Sequence, residues 1–331
     1  MNSQARLAIS FSTLVALGAA GVVHMTSLPT PGAVGVEAPK EPSFEQRRAA
    51  ENLRDSVVFQ CEQIGRRSAR FSPQAGMFMD HLMDTLVANR FDAERFEYLV
   101  DGTVHHSVIG RRSGTGTGTL LIGTHHDTYS KSPGANASAS GVAAIAEVLR
   151  GLRDQTTERS LVVAFFGTGE RPYRGRDDMG AQVWLDQALA GGEEIDQAII
   201  VSSFGLFRPG TGGQNSSFPW YLMYPDTTDW VGIYGGFGAR DEVVEALDVW
   251  GRVTDLPARG FASPAWMLGV PSTDQVPFQE AGIPTLLFSD TGGERDPNIG
   301  TRHDGPHELP FDEMALRVEA LTALVEEYAN R

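Results

Sequence analysis

Cysteine is almost absent: Cys61 alone occurs in 331 residues, so no intramolecular disulfide can form. An oxidising compartment is permitted, but the fold must stand without a covalent staple. Cys61 falls at helical spacing with Leu53, Val57 and Ile64, which predicts a buried structural thiol and not a nucleophile. Positive charge is scarce as well, with 27 Lys and Arg against 42 Asp and Glu and a formal net charge of -15. That balance excludes a nucleic-acid partner, because phosphate backbones are held by clustered cations. Internal repeats, a phosphate loop and zinc-finger spacings are missing. Ser202 and Ser203 follow an apolar run but lack the Gly-x-Ser-x-Gly elbow of a serine hydrolase. The glycine-rich stretch from Gly114 to Thr119 precedes an apolar run instead of following one. A flexible hairpin turn is expected there, not a dinucleotide fingerprint.

What is present begins with a leader. Arg6 precedes a run from Leu7 to Val23 that is apolar apart from Ser10, Ser12, Thr13 and small residues, the layout of a secretory segment. At a rise of 1.5 Å per residue the run reaches about 25 Å, the short end of a bilayer span. Gly18, Ala19 and Ala20 offer an imperfect cleavage site. Residues 1–25 are therefore expected to be a signal peptide or a retained N-terminal membrane anchor. Either one places the protein outside the cytoplasm, on the periplasmic or extracellular face. Residues 26–42 carry Pro29, Pro31, Pro39 and Pro42 and are expected to form an extended tether that cannot pack a core. The folded domain is expected to cover residues 43–331.

Within that domain Ser43 and Gln46 form a capping pattern that opens an amphipathic helix ending at Gly65, and a second helix is expected from Met77 to Leu86. Apolar runs of strand length follow at Thr119–Ile122, Leu161–Phe166, Ala198–Val201 and Thr285–Phe288. Helical patterns lie between them at Gly141–Leu152 and Met179–Ala190. The alternation predicts a single α/β domain: a mixed, mainly parallel sheet with helices on both faces. Ligands of such sheets gather beyond the carboxyl ends of the strands.

Those strand ends carry a resemblance. His125, His126 and Asp127 follow Gly123 and Thr124, and Gly134 to Gly141 lead into a helix. Gly167 to Tyr173, Asp178 to Gly180, Phe261 to Trp266, Glu280 to Pro284, Asp296 to Asn298 and Leu309 to Phe311 then follow in order. The chain resembles the bacterial leucyl aminopeptidase and glutaminyl cyclase family of di-zinc exopeptidases, as a degenerate, inactive member. The resemblance implies the zinc aminopeptidase fold and a pair of zinc ions. Their ligands would be a His, a bridging Asp, a Glu, a further acid and a last His, with a second Glu as general base. Two adjacent dications require that anionic inventory, and the base deprotonates the shared water.

In this sequence the family pattern is broken. The first ligand is kept as His125 and the metal-binding Glu as Glu170. Asp127 falls where the family orients that imidazole from behind, and Asp274 matches a family acid before the last strand. The bridging Asp falls on Asn136, the further acid on Ser202, the last His on Gly300 and the base on Gly169. One His and one Glu cannot hold two zinc ions at useful affinity. His303 is a substitute for the last ligand at the cost of a shifted register. A relocated one-metal site built from His126, Asp177, Asp178, His303, Asp304 and His307 is a further alternative.

The resulting expectation is a peptidase-like pseudoenzyme of the cell envelope with no cofactor. It would bind an envelope or membrane protein complex, or a peptide, and reach the membrane through its N-terminal segment. The alternative is an active metallo-exopeptidase or a single-zinc glutaminyl-cyclase-like enzyme with a rebuilt site and bound zinc. A third reading is a purely structural subunit docked by its N-terminal helix. Phe207, Phe218, Trp220, Tyr221, Tyr224 and Trp230 are candidates for an aromatic interaction patch.

Overall fold

The computed structural model describes Gly18, Gly21 and residues 28–30, 41–68, 75–216, 221, 224–236, 238–263 and 273–331. The leader from Leu7 to Val23, apart from Gly18 and Gly21, and most of the tether lie outside the described residues, as do Phe218, Trp220 and Trp266.

Helix α1 (Phe44–Val58) starts where the capping pattern places it. Ser43 Oγ accepts from the Gln46 amide at 3.1 Å, and Gln46 Oε1 accepts from the Ser43 amide at 2.9 Å. A wider π turn (Phe59–Ile64) continues it to Gly65. Cys61 is buried in that turn, and burial pushes its thiol up to about 11, as a structural thiol requires. Helix α2 (Ala75–Ala88) follows, then an antiparallel hairpin of β1 (Asp92–Val100) and β2 (Thr103–Arg112).

The α/β alternation comes next, with β3 (Thr119–His125), α3 (Ser140–Leu152), β4 (Ser160–Phe166), α4 (Gly180–Ala190) and β5 (Gln197–Val201). A short ribbon of β6 (Arg208–Thr211) and β7 (Thr227–Thr228) leads to β8 (Val231–Gly235), α5 (Arg240–Val253) and β9 (Ala258–Ala262). The chain closes with α6 (Gln275–Glu280), β10 (Thr285–Ser289) and α7 (Phe311–Ala329).

Eight strands form one sheet in the order β1-β2-β4-β3-β5-β10-β8-β9. The central run β4-β3-β5-β10 is parallel, and antiparallel pairs join β2 to β4 and β8 to β10. The four strands anticipated from apolar runs are these four central ones, which read as continuous Val, Ile, Leu and Phe because both faces are covered. On one face α1, α3, α5 and α7 bury a core that includes Leu149, Val163, Trp250, Phe288 and Leu321. On the other, α4 and α6 cover Phe166, Trp184, Ile200 and Phe278.

Two expectations need correction. The stretch from Gly114 to Thr119 is not a hairpin turn, because β2 and β3 do not pair with each other: they lie on either side of β4. The connection passes across the start of β4, where the Gly114 amide donates to Ser160 Oγ (3.2 Å) and the Gly116 amide to the Glu158 carbonyl (2.8 Å). The tether, in turn, does contribute to the core. Leu28 is 8 % exposed and packs beside Gly260 of β9, whose missing side chain leaves room for it.

Candidate functional site

The loops that follow β3, β4, β5 and β10 converge at the carboxyl ends of those strands. His125, the last residue of β3, is fully buried, and its Nδ1 lies 3.1 Å from Asp274 Oδ2. An ionised carboxylate only accepts, so the partner assigns the proton to Nδ1 and leaves a lone pair on Nε2. Nε2 has no hydrogen-bond partner among the described residues and stands 3.8 Å from Glu170 Oε1. Burial works against the imidazolium, but Asp274, Glu170 and Asp127 outweigh it and raise the His125 pKa.

Asp127 does not orient His125 directly. Beyond β3 the chain stays beside β4, through the His126 amide to the Phe166 carbonyl at 2.8 Å. This turns Asp127 toward the Gly169–Glu170 backbone, whose amides donate to Oδ1 and Oδ2 at 2.8 and 3.2 Å. Asp274 takes the role of orienting the imidazole.

Glu170 is held elsewhere too. Arg174 places a guanidinium nitrogen 2.8 Å from Glu170 Oε1, while its Nε donates to the Gly169 carbonyl at 3.2 Å. At Gly169 there is no space for a base: a Cβ would stand 2.4 Å from His125 Cβ and 2.8 Å from its Cγ. Asn136 is buried with its amide fully engaged, Oδ1 accepting from the Gly205 amide (3.0 Å) and Nδ2 donating to Asp296 Oδ2 (3.3 Å). Ser202 is buried at the end of β5, its amide donating to the Phe288 carbonyl at 3.1 Å. Gly300 has φ +70 and faces Tyr129.

Residues 107–191 match peptidase family M28. The matched stretch runs from β2 past α4 and carries His125, Asp127, Asn136, Gly169 and Glu170. Over 295 residues the chain is 21 % identical to the uncharacterized protein YfbL of Escherichia coli K12, which covers 86 % of this chain and 90 % of that one. The zinc aminopeptidase BSAP of Bacillus subtilis superposes with a TM-score of 0.68 at 13 % identity, covering 85 % of this chain and 95 % of its own. Porphyromonas gingivalis glutaminyl cyclase superposes with a TM-score of 0.64 at 18 % identity, covering 84 % and 98 %. At such identities the superpositions speak for the fold, which is the zinc aminopeptidase fold.

The residues of the M28-like site do not fit a pair of zinc ions. Among the described residues no three His, Cys, Asp or Glu side chains come together in a way that could hold a metal. The neighbours weighed as substitutes are occupied or turned away. His126 Nε2 lies 3.0 Å from the His106 carbonyl, and Asp178 pairs with Arg176. His303 is exposed and its ring nitrogen accepts from Arg302 at 3.2 Å; Asp177 and His307 are exposed. Asp304 binds the Asn136 and Ala137 amides at 2.7 and 3.3 Å.

Among the described members of the aromatic patch, Phe207 and Trp230 are core residues and not surface ones, with the Arg295 guanidinium 5.7 Å and 4.9 Å from their ring centroids. Tyr224 stacks on Phe261 at 4.2 Å, and Tyr221 is exposed.

Three residues that organise the site had not been singled out. Arg174 follows Glu170 by four positions, a spacing that was visible in the sequence. Asp290, just beyond β10, accepts from the Leu206 and Gly292 amides at 2.7 and 2.9 Å. Arg67 carries no motif at all. It lies in the loop after α1 and ties the loops after β3 together, reaching the His126 carbonyl (3.0 Å) and Ser138 Oγ (3.0 Å).

Burial pushes the carboxyls of Asp290 and Asp304 up to about 6, from 3.8 when exposed. Between those values the folded chain binds protons that the unfolded chain has released. Their contribution to stability is therefore present below pH 4 and lost as pH rises through 6, with a limiting slope of about 1.4 kcal/mol per pH unit per group. Urea midpoints at pH 5, 6 and 7 should fall in that order for the wild type. The fall should be shallower in Asp290→Asn; an unchanged slope in that variant would contradict the assignment.

Proposed function

We propose that the chain is a peptidase-like pseudoenzyme of the cell envelope, a binding or scaffolding subunit that has lost the di-zinc site of its fold. The observation that carries this reading is the Arg174 guanidinium on Glu170. The guanidinium takes up lone-pair space on Oε1, the Glu170 oxygen nearest His125 Nε2, and so competes with a metal for that oxygen. Arg174, half-buried at the rim, balances the charge of the Glu170 carboxylate without a metal. With Asn136 spent on Gly205 and Asp296, and Gly169 closed against His125, the site keeps its framework but has neither bridge nor base. The apolar run from Leu7 to Val23 supports a location outside the cytoplasm, where an envelope complex or a peptide would be the partner.

The test is metal analysis of the purified full chain after dialysis against trace zinc. Retention below about 0.1 equivalent is expected, since one His and one Glu do not make a tight zinc site. Hydrolysis of aminoacyl anilides should stay at background, because loss of a general base alone costs on the order of 10² to 10⁴ in rate. One or two tightly held ions would overturn the reading and direct attention to peptide and glutaminyl substrates.

A further inference from the structure

The two ends of the sheet differ. β9 has five residues, all buried, and its Gly260 carbonyl accepts from Tyr224 Oη at 2.5 Å. β1 has nine residues, among which Glu94, Arg95, Glu97 and Leu99 are exposed, Leu99 by 67 %. Its pairing with β2 runs through all nine without a bulge, and no proline interrupts it, so its geometry leaves the edge open to a further strand. The hairpin fixes which backbone groups face outward. Asp101 and Gly102 have φ values of 49° and 76°, the two-residue type I′ turn, so Val100 and Thr103 form a hydrogen-bonded pair. Bonded and non-bonded pairs alternate from there, which turns the N–H and C=O groups of Ala93, Arg95, Glu97 and Leu99 away from β2. His106, opposite Glu97, agrees: its carbonyl serves the far side of β2, where His126 Nε2 lies 3.0 Å away. Among the described residues no hydrogen bond reaches the outward row of β1.

We propose that β1 is a self-complementary edge: it pairs antiparallel with β1 of a second copy of this chain, Phe96 at the two-fold axis, and joins the two sheets into one. Residues with outward groups must oppose each other, so the possible registers differ by steps of two residues. With Phe96 opposite its own copy, Arg95 of each chain faces Glu97 of the other on one side of the sheet. Ala93 then opposes Leu99 and covers its exposed side chain, and the whole strand overlaps. A slip of two residues one way sets Arg95 against Arg95, and a slip the other way sets Glu97 against Glu97. Opposite charges directly across a strand pair attract and like charges repel, so charge selects the central register. Arg95 meets Asp80 of α2 through one nitrogen at 2.7 Å, and the rest of its five-donor fork can serve a second carboxylate. The contact is isologous, so each complementary pair occurs twice and the assembly closes as a dimer. The inference stands on the sheet edge and does not depend on the loss of the metal site.

Sedimentation of the full chain in mild detergent should give a dimer at micromolar concentration. Glu97→Arg places like charges across both symmetric pairs and should weaken the dimer on the order of tenfold or more. Adding Arg95→Glu restores opposite charges and should recover it; both positions are exposed, so the fold tolerates the exchange. Oxidative cross-linking reads the register. Phe96→Cys puts a thiol opposite its own copy in a non-hydrogen-bonded pair, where about 4.5 Å between Cα atoms suits a disulfide. Glu94→Cys would lie four residues from its copy along the strands, about 13 Å, and should not cross-link. Buried Cys61, its thiol pushed up to about 11, is spared at neutral pH. A monomer in sedimentation would overturn the proposal. A dimer that Glu97→Arg leaves intact, or one that cross-links through position 94 and not 96, would overturn it as well.

Discussion

Gly169→Glu, which puts a carboxylate where the resemblance to the zinc exopeptidases expects a base, should destabilise the protein and confer no peptidase activity. The new Cβ would stand 2.4 Å from His125 Cβ, and His125 cannot retreat, because it is fully buried and held by Asp274 at 3.1 Å. Overpacking of this kind costs about 1–3 kcal/mol, and burying a further carboxylate near Glu170, Asp127 and Asp274 adds to it. Gly169→Ala isolates the steric part and should already lower the urea midpoint measurably. Wild-type stability in both variants would show that the end of β3 yields readily and that a base can be rebuilt.

The same reasoning bears on a fourfold restoration with Asn136→Asp, Gly169→Glu, Ser202→Asp and Gly300→His. Residue 300 has φ +70, where a side chain costs on the order of 1–3 kcal/mol. Asn136→Asp removes the donor to Asp296 and sets two carboxylates against each other. Failure of that variant to bind zinc would reflect a site that has closed around the missing groups, and would not by itself refute the alignment of these positions with the family.

Arg67→Met should be the most damaging single change outside the β-sheet. The buried guanidinium donates to the carbonyls of Gln60 (2.6 Å), Gly65 (3.1 Å), His126 (3.0 Å) and Gly134 (3.5 Å) and to Ser138 Oγ. Its removal leaves several of these acceptors without a donor, at about 1–3 kcal/mol each where water cannot replace it, so a total near 4 kcal/mol is expected. Urea unfolding reads the loss, and amide exchange should accelerate first in residues 126–138. Arg67→Lys should recover little, since one ammonium cannot span the donor fork. A lysine variant as stable as wild type would mean that charge, and not the fork, holds these loops.

The sequence carried the fold because burial on both faces writes itself as unbroken apolar runs. Thr119–Ile122, Leu161–Phe166, Ala198–Val201 and Thr285–Phe288 are the central strands β3, β4, β5 and β10, and the Ser43–Gln46 cap opens α1. Strands β1, β2, β8 and β9 were not read, since their apolar pattern is mixed with polar and glycine residues and their place depends on pairing with distant segments. The hairpin expected at Gly114 failed for the same reason: whether two successive strands pair is a property of the sheet order, and here β4 inserts between them.

At the site, identity and geometry divide in the same way. The amino-acid types by themselves determined which groups exist: His125 and Glu170 present, Asn136, Ser202 and Gly300 at the positions that the resemblance assigns to ligands, and no side chain at Gly169. Only the tertiary structure decided what the remaining groups do. It gave His125 to Asp274, separated by 149 positions, turned Asp127 onto backbone amides, placed Arg174 on Glu170 and buried Phe207 and Trp230 around Arg295. The physical reason is range. Apolar periodicity and caps are local and survive in one dimension, whereas a hydrogen bond is decided within tenths of an ångström between atoms whose neighbours along the chain say nothing about their neighbours in space.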